Sequence, residues 1–175
     1  MKNILKVFII TAGLVLCFNA KSFALVDVAA WGGYVFNGDV AGLDFNGGQY
    51  GLKAHYNTSF VALFDIGFGA YYQYSKLKFD FSGADKFTRK SAGLDVNLIL
   101  SMIPIVHPYA RCTWAFMDKI EDDNKKFKAY GAGIGAEIKF LPFICLFGEY
   151  MYEKSKHDDA KFTLNAVNFG LKADI

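Results

Sequence analysis

The chain has 175 residues, 53% hydrophobic and 17% aromatic, with 17 Gly against only 3 Pro. Its 19 Lys and Arg are nearly matched by 17 Asp and Glu, which leaves no basic surplus for a nucleic-acid partner. Three cysteines are too few for a disulfide framework, so stability has to come from hydrogen bonding and packing.

The first segment reads as an export signal. Lys2 and Lys6 precede an uncharged apolar run, Val7–Phe18 (VFIITAGLVLCF), and small residues at Ser22 and Ala24 suit signal peptidase. The run is too short for the roughly 20 residues of a spanning helix. Leu16 stands before Cys17 where a lipid-attachment motif needs a small residue, which argues against a lipoprotein. Residues 1–24 are therefore a predicted cleaved signal and Leu25–Ile175 the predicted single domain. Lys2, Lys6 and Lys21 leave with the signal, so the domain carries 16 basic against 17 acidic groups, a net charge of −1.

From there period-two alternation dominates, and no apolar face of period 3.6 extends over a helix length. Eight strands are predicted: Val26–Phe36, Gln49–Asn57, Ala62–Ser75, Thr88–Leu100, Pro108–Met117, Phe127–Phe140, Phe143–Glu153 and Phe162–Asp174. Their connections alternate in kind. Residues 58–61, 101–107 and 141–142 are short and uncharged, whereas 37–48, 76–90, 118–128 and 153–161 hold 23 of the 33 charges of the domain. In an up-and-down meander all four charged connections fall at one end, the pattern of an outer-membrane barrel with short periplasmic turns and longer outer loops. The longest of them, about fifteen residues, is too short for an extended adhesin or protease platform.

A secreted lipocalin-like barrel also has eight strands but reverses the faces. One phase here is apolar without interruption through Phe60, Ala62, Phe64, Ile66, Phe68, Ala70, Tyr72 and Tyr74. The other is rich in glycine (Gly67, Gly69, Gly93, Gly131, Gly133, Gly135) and isolated charges. A narrow lumen suits the second phase, and a water-facing wall as aromatic as the first would be one large apolar patch of the kind soluble monomers avoid. The expected fold is an all-β, eight-stranded antiparallel transmembrane β-barrel, with the last strand pairing with the first because hydrocarbon tolerates no open edge.

Asp95, Arg111 and Glu137 share the inward phase on successive strands, with Asp65 and Glu149 nearby. A buried carboxylate pair needs a cation between its members, so these five residues are expected to form a structural ion-pair ladder with Arg111 reaching Asp95 and Glu137. His55 is expected to face the lumen beside Lys53, and His107 to be a turn residue. Ser155, His157, Asp158 and Asp159 lie too close together in one loop to supply the separately held members of a catalytic triad, and they lack a rigid pair of metal ligands on one strand face. Gly131–Gly135 (GAGIG) lacks the strand-to-helix context of a phosphate loop. No catalytic residue, metal site or cofactor is expected, and the protein is not read as an enzyme. Cys112 on the outward phase and Cys145 on the inward phase are not expected to bond. Trp31, Trp114, Tyr71–Tyr74 and Tyr150–Tyr152 are the expected interfacial girdle.

The whole of Leu25–Ile175 resembles the small eight-stranded outer-membrane proteins of the OmpA-transmembrane-domain, OmpX and OmpW kind. The resemblance implies a C-terminal assembly signal at Asn168, Gly170, Ala173 and Ile175, with Ile175 where the family usually has an aromatic. It implies a monomer in the outer membrane of a diderm bacterium, exported by the Sec pathway, with outer-membrane lipids and the barrel-assembly machinery as partners. Two functions follow: a plugged barrel with a structural or surface-interaction role, meeting host or envelope ligands through its charged loops, or a narrow channel for small or hydrophobic molecules.

Overall fold

The computed structural model describes residues 26–175 apart from 62, 82, 84–85, 102–104, 121–122, 127, 142 and 158–159. The predicted signal lies outside the described residues. Nine strands form: β1 (Val26–Val40), β2 (Leu43–Val61), β3 (Phe64–Phe79), β4 (Lys86–Leu100), β5 (Val106–Ile120), β6 (Asp123–Lys126), β7 (Lys128–Leu141), β8 (Ile144–His157) and β9 (Ala160–Asp174). All ladders are antiparallel. β1 pairs with both β2 and β9, and β4 pairs with β5, so β1–β5 and β7–β9 close into an eight-stranded up-and-down barrel. The four-residue β6 pairs only with the end of β5.

The strands run further than apolarity alone suggests. A tilted strand needs about 9–11 residues to cross hydrocarbon, and these eight have 14 to 19. The surplus lies at the charged end. Residues 37–48, expected to be a loop, are strand on both sides of a two-residue turn at Ala41 (φ 53°) and Gly42 (φ 84°). Positive φ at both central positions gives the type I′ twist that tight hairpins need. The expected fifteen-residue connection at 76–90 shrinks to 80–85, and β8 and β9 leave only 158–159 between them. The alternation persists there while its outward members change from apolar to Lys, as in Lys76 and Lys78 against inward Ser75 and Leu77. Strand ends set by loss of apolarity therefore mark the edge of the apolar band and not the end of pairing.

The barrel is apolar outside and polar inside. Among the described residues, 23 buried side chains are polar or charged against 16 apolar ones. Ile134 (68% exposed), Phe169 (67%) and Trp114 (59%) stand on the outer wall with Leu52, Phe68 and Leu94. Two expected girdle residues belong elsewhere. Trp31 is only 5% exposed and Tyr71 is also buried, because both fall on the inward phase. Trp114, Tyr72, Tyr150 and Tyr152 face outward. Trp31 lies against Gly51, where an added Cβ would stand 2.6 Å from Trp31 Cζ2 and 2.5 Å from the Tyr72 carbonyl oxygen. Gly51→Ala is therefore expected to cost about 1–3 kcal/mol by overpacking, read as a lower urea midpoint of the vesicle-folded protein. An unchanged midpoint would show that both Trp31 and the β3 backbone at Tyr72 have room to move.

Candidate functional site in the barrel lumen

The inward phase brings the polar side chains of all eight staves together along the axis, in layers. At the short-turn end, Asp27 of β1 accepts from His55 Nδ1 (2.9 Å) and Asn57 Nδ2 (2.9 Å), both on β2. Lys172 Nζ of β9 lies 2.5 Å from Glu137 Oε2 of β7 and 3.9 Å from Asp27 Oδ2. His107 is a buried strand residue of β5 in register with Glu137, and not the expected turn residue. It reaches that position because β5 begins at Val106.

The middle layer centres on Arg111 of β5. Its Nε and Nη2 donate to Asp95 Oδ2 of β4 at 2.9 and 2.7 Å, and its Nη1 donates to Glu149 Oε1 of β8 at 2.6 Å. Glu149 also accepts from Tyr109 Oη (2.9 Å), Asn168 Nδ2 (3.1 Å) and Lys53 Nζ (3.4 Å). His55 links this layer to the one below: its Nδ1 faces Asp27 and its Nε2 faces Asp95 Oδ2 at 3.2 Å. Lys53, Arg111 and Lys172 thus face Asp27, Asp95, Glu137 and Glu149, with the His55 ring set between Asp27 and Asp95. Pairing of this kind is what desolvated charges need.

Of the five expected ladder residues, the structure brings Asp95, Arg111 and Glu149 together. Glu137 pairs with Lys172 instead of Arg111, and Asp65 accepts from Ser59 Oγ (2.8 Å). The reason lies in the glycines of β7. Gly133, in register with Arg111, offers no side chain and is covered by Met151 of β8, whose Sδ a Cβ there would run into, so β7 puts no acceptor opposite Arg111 and the guanidinium pairs with Glu149 on β8. Tyr109 lies over Gly135, where a Cβ would stand 2.6 Å from the ring, and so reaches Glu149 as well.

A third layer lies towards the loops and had no counterpart in the expected ladder. Arg89 of β4 donates through Nε to Asp118 Oδ1 (2.7 Å), through Nη2 to Asp118 Oδ2 (3.1 Å) and through Nη1 to Glu153 Oε2 (2.7 Å). Ser155 Oγ donates to Asp118 Oδ2 at 2.8 Å, which commits that hydroxyl to the lumen. Asp158 and Asp159 lie outside the described residues. The signal that could have found this layer is the continued alternation of Asp118, Arg89, Glu153 and Ser155 into segments that look like loops. Above it Val35, Phe45, Leu77, Phe162, Leu164 and Ala166 form an apolar cap, with Phe45 and Phe162 stacked at 4.7 Å and the Arg89 guanidinium 5.1 Å from the Phe162 ring centre.

Cys112 is exposed, Cys145 is buried, and both thiols are free. Among the described residues, no group of three or more His, Cys, Asp or Glu is placed to hold a metal ion. The four residues of the expected assembly signal are spread over both faces of β9 and its end. Asn168 is buried and accepts from Gln49 Nε2 (2.8 Å), Gly170 faces Phe147, and Ala173 and Ile175 point outward.

A closed eight-stranded barrel with an apolar wall and a salt-bridged lumen has the fold of the small transmembrane β-barrels of outer membranes. The crystal structure of Neisserial surface protein A (NspA) aligns with a TM-score of 0.68 at 16% identity, over 89% of this chain and 100% of that one. The outer membrane protein OprG from Pseudomonas aeruginosa aligns with a TM-score of 0.54 at 9% identity, covering 86% and 96%. A de novo designed transmembrane β-barrel gives 0.52 at 14% identity, covering 89% and 98%. No protein-family model and no curated protein matches the sequence.

Proposed function

We propose that the chain is an integral protein of a bacterial outer membrane, a monomer that spans the bilayer as a plugged barrel and acts structurally or through contacts at its outer rim. Residues 1–24 serve as its cleaved export signal, and Asn168, Gly170, Ala173 and Ile175 are read by the assembly machinery. The observation that carries the plugged reading is the chain of groups across the lumen, Asp95–Arg111–Glu149, together with the Phe45–Phe162 cap above it. Eight strands enclose a space that side chains fill, and here those side chains are locked to one another. The short hairpins at the outer end leave the rim, and not extended loops, as the surface for host or envelope ligands.

Planar-bilayer recording of the refolded protein tests this reading. A closed lumen gives no unitary conductance steps. Reproducible single-channel steps would replace the plugged barrel with the narrow channel for small or hydrophobic molecules.

A further inference from the structure

Among the described residues, four buried side-chain polar atoms have no hydrogen-bond partner, and three of them are oxygens towards the short-turn end of the lumen: Asn57 Oδ1 of β2, Asp65 Oδ2 of β3 and Asn97 Oδ1 of β4. The fourth, Trp31 Nε1, is a donor. The three oxygens belong to neighbours. Asn57, Gly67 and Asn97 form one row across β2, β3 and β4, and Asp65 is the next inward residue of β3 towards the short turns. Gly67 puts no side chain between the two amides: a Cβ there would stand 2.7 Å from Asn57 Oδ1 and 3.7 Å from Asn97 Cβ. Both amides are held by their nitrogens, which leaves the oxygens as the free ends. Asn57 Nδ2 donates to Asp27 Oδ2 (2.9 Å), and Asn97 Nδ2 faces His55 Nε2 at 3.3 Å. Asp65 accepts from Ser59 Oγ on Oδ1 and has Oδ2 to spare. None of the three residues is more than 9% exposed.

Asn57 and Asp65 open on a cavity of about 20 Å³, room for one guest the size of a water molecule. Its wall carries three carboxylates, Asp65, Glu137 and Asp174, against two lysines, Lys139 and Lys172, with His107 beside them. Lys172 lies on Glu137 and Lys139 is 3.8 Å from Asp174, and Asp65 forms no ion pair with a described residue. Above the cavity, Lys53 and Arg111 are engaged by Glu149 and Asp95. Buried acceptors without donors call for a bound guest, and a buried carboxylate calls for a cation. A water brings two hydrogens and no charge to three oxygens. Calcium takes about six to eight oxygens, several of them carboxylate, and only one carboxylate stands here. A singly charged, oxygen-seeking ion matches both the oxygens and the surplus of one carboxylate over the two lysines.

We propose that this niche binds one monovalent metal cation, sodium or potassium, between Asp65 Oδ2 and the amide oxygens of Asn57 and Asn97. The ion enters from the short-turn mouth, where the Lys139 and Asp174 side chains are part-exposed. The proposal needs only the closed barrel and is independent of the function proposed above.

The test uses the refolded protein in detergent micelles at about pH 8.5, above the ordinary imidazole range. Urea midpoints are compared in sodium, potassium, calcium and choline chlorides at equal ionic strength, choline being too large for the cavity. The wild-type midpoint is expected to rise with the logarithm of sodium or potassium concentration, as binding to the folded state alone requires, and to stay flat in choline. The sodium NMR line is expected to broaden with wild-type protein and to sharpen again when potassium is added. Asp65→Asn removes the charge at nearly constant shape, and Gly67→Ala fills the niche. Both are expected to lose the dependence on sodium and potassium. In choline, Asp65→Asn is expected to unfold at or above the wild-type midpoint, because an uncompensated charge is gone. Equal wild-type midpoints in all four salts, with no sodium broadening, overturn the proposal and leave a water or a proton as the occupant. Sodium dependence kept by either variant overturns it by placing the ion elsewhere. A larger response to calcium than to sodium overturns it in favour of a divalent ion. A lower Asp65→Asn midpoint in choline overturns it by making the carboxylate a structural partner. Should a variant fail to fold, the wild-type NMR competition decides.

Discussion

Arg111→Ala is expected to lower the unfolding free energy by about 3–5 kcal/mol, measured by urea titration of the vesicle-folded protein, because it strands two buried carboxylates. Asp95 and Glu149 are both buried and both take hydrogen bonds from this guanidinium. Without it, Lys53 at 3.4 Å is the cation left beside Glu149, and only the His55 ring is left beside Asp95. The loss reflects uncompensated charge more than lost attraction. Arg111→Met combined with Asp95→Asn, Glu149→Gln and Lys53→Met, which leaves no member of this layer as an unpaired charge, is therefore expected to recover much of the stability that Arg111→Ala removes. An unaltered urea midpoint for Arg111→Ala would show that water enters the lumen and screens the pair.

Arg89→Ala is expected to have an effect of similar size, about 3–5 kcal/mol, with a different local consequence. Arg89 grips Asp118 with two nitrogens and Glu153 with a third, and lies over Phe162 of the apolar cap. Losing it loosens the outer end first, so limited proteolysis is expected to cut near 80–85 or 121–127 while the spanning part stays folded. Arg89→Lys keeps the charge but not the planar fork, and is expected to fall between wild type and Arg89→Ala. Arg89 and Asp95 are six residues apart on β4, roughly 20 Å along the strand, so the Arg89 and Arg111 losses should add to within about 0.5 kcal/mol. A large coupling would mean that the two layers act as one network.

The face each residue occupies was legible in the sequence, because alternation fixes it: Asp95, Arg111 and Glu149 read as inward, and they are buried. Partner choice was not legible. Arg111 pairs with Glu149 on a strand two positions away, and Lys172 of β9 takes Glu137. Both depend on how the ring closes and how the strands stagger, which no local pattern encodes. The third layer is hidden for another reason: the segment Lys76–Lys90 is polar enough to resemble a loop, although Leu77 and Arg89 keep the inward phase. The turn at Ala41–Gly42 hid inside a stretch rich in Gly, Asn and Asp that resembles an open loop. Trp31 follows the inward phase of β1 and not the interfacial preference of its residue type.

The seam between β1 and β9 gives the barrel a mechanical direction. Its thirteen register pairs start at Asp27↔Asp174 and run to Val40↔Phe162, and Val26 and Ile175 exchange backbone bonds at its mouth. Tension that draws Val26 away from Ile175 loads this ladder one rung at a time, so the ring peels open under a small force. A pull on the Ala41–Gly42 tip, along the strands, loads the rungs on both sides of β1 together in shear. The barrel should therefore resist tugging from its outer rim far better than prising from the rim where its ends meet.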